Sequence, residues 1–266
     1  MSFEINNLLN NGEVCAVAQK GPFTVIEYMR DLSVSPSSAP AAWFCEQMNV
    51  RKRQVLVELS KSGVITQAGA MQIMCGNVKC TTGVKGVGDF LGKAFKGAVS
   101  NTSVVKPEYT GDGLLLLEPD FKHNILLDVA EWNNALVVDD GLFLACESKL
   151  KLDVVARSNI SSAIAGGEGL FNLGLKGAGI VCLKSRVPRE ELVEVTLTND
   201  VLKIDQSCNA VAWSGSLEFT TERAGTTLIG SAASGEGLVN CFRGSGKVLL
   251  ALTERLGSYT RSPATT

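Results

Sequence analysis

Alternating apolar and polar positions recur three times along the chain. The stretches are Val55-Leu56-Val57-Glu58-Leu59, Ile125-Leu126-Leu127-Asp128-Val129 and Leu192-Val193-Glu194-Val195-Thr196-Leu197. A period of two is that of a half-buried strand. The same alternation in Lys149-Leu150-Lys151-Leu152-Asp153 and Ser216-Leu217-Glu218-Phe219-Thr220 predicts further strands. Between them lie Ala68-Gly69-Ala70-Met71, Asp140-Gly141-Leu142-Phe143 and Cys208-Asn209-Ala210-Val211. There Gly69, Gly141 and Asn209 are expected at matching turns with positive φ, which glycine adopts freely and asparagine tolerates. Helical periodicity is scarce. The best candidate is Asp89-Phe90-Leu91-Gly92-Lys93-Ala94-Phe95-Lys96, where Phe90, Leu91, Ala94 and Phe95 share one face.

A motif occurs twice at closely similar surroundings: Gly167-Glu168-Gly169-Leu170-Phe171-Asn172 and Gly235-Glu236-Gly237-Leu238-Val239-Asn240. Each copy is followed by a Gly-x-Gly and an apolar run, Gly177-Ala178-Gly179-Ile180-Val181 and Gly244-Ser245-Gly246-Lys247-Val248. A degenerate first copy reads Ser100-Asn101-Thr102-Ser103-Val104-Val105, then Gly111-Asp112-Gly113-Leu114-Leu115. Self-similarity of this kind marks a duplicated supersecondary unit. The pattern predicts an all-β domain at residues 50–256, built from three internal repeats at about 53–119, 122–185 and 191–253. A lone unit cannot bury its apolar faces, so the repeats are expected to pack with pseudo-threefold symmetry, as a β-prism or double-stranded β-helix-like body.

Residues 1–49 precede the repeats as an N-terminal extension. Val14–Ala18 and Phe23–Tyr28 read as a hairpin punctuated by Gly21-Pro22, and Ser33–Pro40 as a linker or exposed loop. The tail at 257–266 reads as disordered.

Composition narrows the function classes. Apolar residues make up 45% and charged residues 20%, as in an ordinary soluble globular protein. A net charge of −2 argues against nucleic acid as a partner, because neutralising phosphates needs a basic excess. The run Arg51-Lys52-Arg53 reads as a solvated strand start or loop. No apolar run approaches the ~20 residues of a membrane span, and the first residues lack a signal-peptide pattern. A cytoplasmic location follows, with eight reduced cysteines. None of them forms a Cys-x-x-Cys pair, and Cys146 and Cys182 sit in apolar contexts as core residues.

Chemistry is hard to find. The single histidine, His123, cannot alone build a metal centre, and it reads as a surface-loop residue. Gly88-Asp89-Phe90-Leu91-Gly92-Lys93 falls one residue short of a phosphate-binding loop, and Ala94 stands where a Ser or Thr belongs. Glu168 and Glu236 occupy equivalent places, but turn-capping carboxylates explain them without catalysis. No catalytic residue, metal or cofactor is expected. The one segment with an interaction character is Phe90, Leu91 and Phe95, flanked by Lys85, Lys93 and Lys96. Such a helix either lies on a membrane or partner surface or caps its own domain.

Ala68-Gly69-Ala70-Met71, the Gly-Glu-Gly-Leu-Phe/Val-Asn boxes and Gly244–Ala251 together resemble the "altered inheritance of mitochondria" family, over roughly residues 50–253. The resemblance implies a triplicated β-structure similar to the tryptophan RNA-binding attenuation protein. It implies no catalytic residues, and its fungal member's association with the mitochondrial inner membrane adds weight to a membrane or scaffold role. The expected function is a non-enzymatic scaffold or interaction module, peripheral to membrane protein assemblies, with an unidentified protein partner or a membrane surface to bind and a homo-oligomeric state. A small-ligand- or RNA-binding module is the alternative.

Overall fold

A computed structural model describes residues 3–82, 106–156, 171–205, 208–223 and 238–253. The fold is all-β, with sixteen strands and one α-helix among the described residues. The strands are β1 Val14–Lys20, β2 Phe23–Tyr28, β3 Arg53–Glu58, β4 Val64–Thr66, β5 Met71–Thr81, β6 Glu108–Leu117, β7 His123–Asp128 and β8 Ala135–Asp139. They continue as β9 Phe143–Glu147, β10 Lys151–Ala156, β11 Phe171–Lys176, β12 Ile180–Ser185, β13 Val193–Asp205, β14 Asn209–Ser214, β15 Glu218–Arg223 and β16 Leu238–Ala251. The helix, α1, spans Ala39–Gln47.

The strands form two antiparallel sheets. The first runs β1-β2-β3-β6-β4-β9-β12-β7, with β5 added along β6. It curls until it nearly closes on itself, because the segment entering β7 returns to the start of β3. There Arg53 N donates to the Asp120 carbonyl at 2.7 Å and Asp120 N to that of Arg53 at 3.0 Å. The second sheet runs β10-β11-β8-β14-β16-β13, with β15 along part of β16.

Alternation explains which side each strand buries. In β3, Val55 and Val57 enter a core inside the curled sheet, where Phe23, Val25, Leu115 and Leu117 meet them. A second core lies between the sheets, joining Leu127, Val138, Leu175, Val211 and Leu249. Strand β12 serves both. Val181 and Leu183 face the core between the sheets, and Ile180 and Cys182 face the curled sheet's interior. A strand buried on both faces reads as an unbroken apolar run, as Ile180-Val181-Cys182-Leu183 does. The far face of the second sheet holds a third cluster, with Trp213, Phe219 and Phe242 rings 5.1–5.5 Å apart.

The three segments read as repeats do not fold alike in detail. Residues 53–119 carry β3–β6, residues 122–185 carry β7–β12, and residues 191–253 carry β13–β16. The first glycine of each Gly-x-Gly does share a backbone geometry. Gly111, Gly177 and Gly244 have φ of +122°, +111° and +115°. At each the chain changes neighbours: β6 passes from β4 to β3, β16 from β15 to β14, and the β11–β12 chain from β8 to β7 and β9.

Three expectations are corrected. Of Gly69, Gly141 and Asn209, only Gly69 has positive φ. Gly141 instead lies in a 3-10 turn whose entry Asp139 caps by accepting from Gly141 N at 2.8 Å, and Asn209 opens strand β14. His123 is half-buried at the start of β7, paired with Ser185, and not in a surface loop. Arg53, read as solvated, is 3% exposed. The candidate helix at 89–96 and the tail at 257–266 lie outside the described residues.

Candidate interaction site

Between β2 and β3 the chain leaves the sheet for residues 29–52 and returns. Tyr28 N donates to the Lys52 carbonyl at 3.0 Å, and Met29 N to that of Glu13 at 2.8 Å, which closes the stem of this excursion. Glu27, itself 7% exposed, clamps the returning strand. Its Oε1 accepts from Arg51 Nη1 at 2.8 Å and its Oε2 from Arg53 Nε at 2.7 Å. Arg53 Nη2 then donates to the carbonyl and the side-chain oxygen of Asn49 at 3.1 and 2.9 Å. Burial of Glu27 and Arg53 is tolerated because each is paired and hydrogen-bonded.

Asn49 also ends α1. Its φ of +59° is the left-handed conformation of a Schellman cap. Val50 N donates to the Cys45 carbonyl at 2.8 Å and Asn49 N to that of Glu46 at 3.4 Å, satisfying carbonyls the helix leaves free. At the other end the serines fold a turn in which Ala39 N donates to the Ser35 carbonyl at 2.9 Å, and Pro40 sits in the first helical turn. The helix is therefore held at both ends by its neighbours, although none of its side chains is buried.

Its apolar side chains are instead presented outward. Trp43 is 56% exposed, Phe44 62% and Met48 75%. The two aromatic rings meet edge to face with centroids 5.0 Å apart, and Met48 follows Phe44 by one helical turn. Val50 and Phe121, both exposed, line a small hollow beside Ala42 and Cys45. The acidic Glu46 turns back to the stem, where its Oε1 accepts from Asp31 N at 3.2 Å. A grouped set of exposed large apolar residues on a well-anchored element is the surface signature of an interaction site.

The sequence reading points to Phe90, Leu91 and Phe95 as the interaction patch, and these lie outside the described residues, as do Glu168 and Glu236. The residues around α1 escaped it because Ala39–Gln47 is short and its apolar positions follow no helical stripe. The available signal was the end chemistry: serines and Pro40 before the segment, and Asn49 after it.

Elsewhere the described residues offer little reactive chemistry. No three His, Cys, Asp or Glu gather in a way that would hold a metal ion, among the described residues. Burial pushes the Cys146 thiol up to about 12 and the Cys182 thiol further, so both are inert packing groups. No helix among the described residues is long and apolar enough to cross a membrane.

A family model described as mitochondrial biogenesis AIM24 matches residues 47–251. The chain belongs to the AIM24 family. An uncharacterized protein of Streptococcus pyogenes serotype M6 is 31% identical over 206 residues, covering 74% of this chain and 79% of the relative. A crystal structure of a Streptococcus pyogenes protein aligns with a TM-score of 0.55 at 27% identity, covering 76% of this chain and 88% of that one. The AIM24 match begins at Gln47, the last residue of α1. The exposed part of the helix therefore precedes the matched segment, and its role is argued from this chain's own structure.

Proposed function

We propose that this AIM24-family protein is a non-enzymatic interaction scaffold that works from the cytoplasm and docks peripherally on a membrane surface through α1. The observation that carries the reading is the outward display of Trp43, Phe44 and Met48 on a helix whose ends are fixed. Tryptophan and phenylalanine are the side chains that settle at the boundary between headgroups and acyl chains. The helix carries no basic residue, so the docking is apolar rather than electrostatic.

The triplicated architecture belongs to the same proposal. Three β-units, each bent at a Gly-x-Gly with the same positive φ, would form the rigid body behind α1. Strands β5, β10 and β13 pair on one side only among the described strands, so a second copy joining at such an edge is the expected route to a homo-oligomer.

Co-sedimentation with phosphatidylcholine vesicles tests the reading. Wild type is expected in the pellet, with little change when phosphatidylglycerol is added, and Trp43→Ser/Phe44→Ser in the supernatant with its fold intact. Equal pelleting of the two proteins, or no pelleting of wild type, removes the membrane role.

A further inference from the structure

On the other side of the same stem lies a cleft of about 630 Å³, within the range of small-molecule sites. Its inner end is a chain of hydrogen bonds that all run one way. The Tyr28 hydroxyl donates to Gln54 Oε1, and Gln54 Nε2 donates to Gln72 Oε1 at 2.7 Å and to the Leu117 carbonyl at 2.9 Å. Gln54 is 3% exposed and its amide is fixed by these partners. The chain ends at Gln72, which lines the cleft and whose amide N–H groups are not spent on this bond, while the phenolic oxygen of Tyr28, also in the lining, keeps lone pairs to accept. Donors aligned in series polarise one another, which strengthens the terminal one.

The rim carries two ion pairs. Arg30 grips Glu13 through both Nε, at 2.7 Å, and Nη2, and Lys52 Nζ lies 2.6 Å from Asp31 Oδ2. The rim is therefore electrically balanced, with each sign present on two residues. A simple anion or cation entering it meets as much repulsion as attraction, whereas a molecule bearing both charges matches it. Leu8, Leu32 and Pro119 supply an apolar wall.

We propose that this cleft binds a small zwitterionic molecule with an apolar side chain, of the free amino acid or short peptide class. Its carboxylate pairs with Lys52 or Arg30 and its ammonium group with Asp31 or Glu13. A peptide group offers the Gln72 amide a carbonyl and the Tyr28 oxygen an N–H. Both rim carboxyls are held below the usual carboxylate range, Glu13 by its hydrogen bonds from Arg30 and Asp31 by its bond to Lys52, so the recognition persists through neutral and mildly acid pH. The cleft shares Tyr28, Asp31 and Lys52 with the hollow beside α1, but Trp43, Phe44 and Met48 are not among its lining residues.

Glycyl-leucine titrated into the ¹⁵N-labelled full chain tests this. The expected result is saturable shifts of the Tyr28, Lys52, Gln54 and Gln72 amide signals. N-acetylglycyl-leucine and glycyl-leucinamide, which each lack one charge, should bind about tenfold more weakly, the scale of one lost interaction. Gln72→Ala and Arg30→Gln, both at exposed positions, should weaken glycyl-leucine by a similar factor, while Trp43→Ser leaves it unchanged. The absence of saturable shifts at the cleft overturns the proposal, and so does equal binding of the capped peptides.

Discussion

Glu27 shows how one side chain organises the candidate site. It is the shared acceptor of Arg51 and Arg53, and through Arg53 it reaches Asn49 at the end of α1. Glu27→Ala leaves a buried guanidinium without its partner, so a loss of about 3–5 kcal/mol is expected in urea unfolding. His123 lies close to this network. Burial lowers its pKa below 6.5, Arg53 lowers it further, and Glu27, Glu190 and Glu191 oppose the shift. The unfolded chain therefore takes up the proton more readily than the folded one. His123 leaves stability unaffected above pH 6.5, and its contribution falls as pH drops from there through the lowered folded value, where the loss levels off. His123→Asn should flatten that part of the stability profile, read as urea midpoints across pH 5–7.5. Sequence reading took His123 and Arg53 for solvated residues for one reason. A charged or titratable side chain in a polar stretch looks solvated until its partner is known, and Glu27 is distant from Arg53 along the chain.

At the scale of elements, the Gly-x-Gly bends and α1 behave oppositely. A side chain at Gly111 would run into the Asn77 carbonyl oxygen across the hairpin, besides being strained by positive φ. A Cβ at Gly244 would meet nothing closer than 3.8 Å and carries the backbone strain alone. Gly111→Ala is thus expected to destabilise by more than Gly244→Ala, with the latter near about 1–2 kcal/mol; thermal melts of the two variants check the order. On α1 the exposed aromatics pack against little of their own protein. Trp43→Ser/Phe44→Ser should change unfolding stability by no more than about 0.5 kcal/mol, measured by the same melts. The glycine doublets were legible because they repeat in sequence. The helix was not, because its residues were fixed by the caps and stem contacts rather than by an amphipathic stripe.

For the whole molecule, period-two alternation was enough to specify an all-β fold, and apolar contexts were enough to bury Cys146 and Cys182. It did not specify the partition into two sheets. That depends on strands such as β9 and β12, which are buried on both faces and so carry no alternation to show which neighbour they join. The location of the candidate site was equally hidden, because an interaction surface appears only when the fold decides which apolar residues remain outside. The central claim, that α1 is such a surface, has a built-in reporter. Of the three tryptophans, Trp132 and Trp213 are 2% and 4% exposed, while Trp43 is 56% exposed. Acrylamide quenching of tryptophan emission should therefore report mainly on Trp43. The account predicts that phosphatidylcholine vesicles shift that emission to shorter wavelength and suppress its quenching. Unchanged emission and quenching at saturating lipid would contradict it.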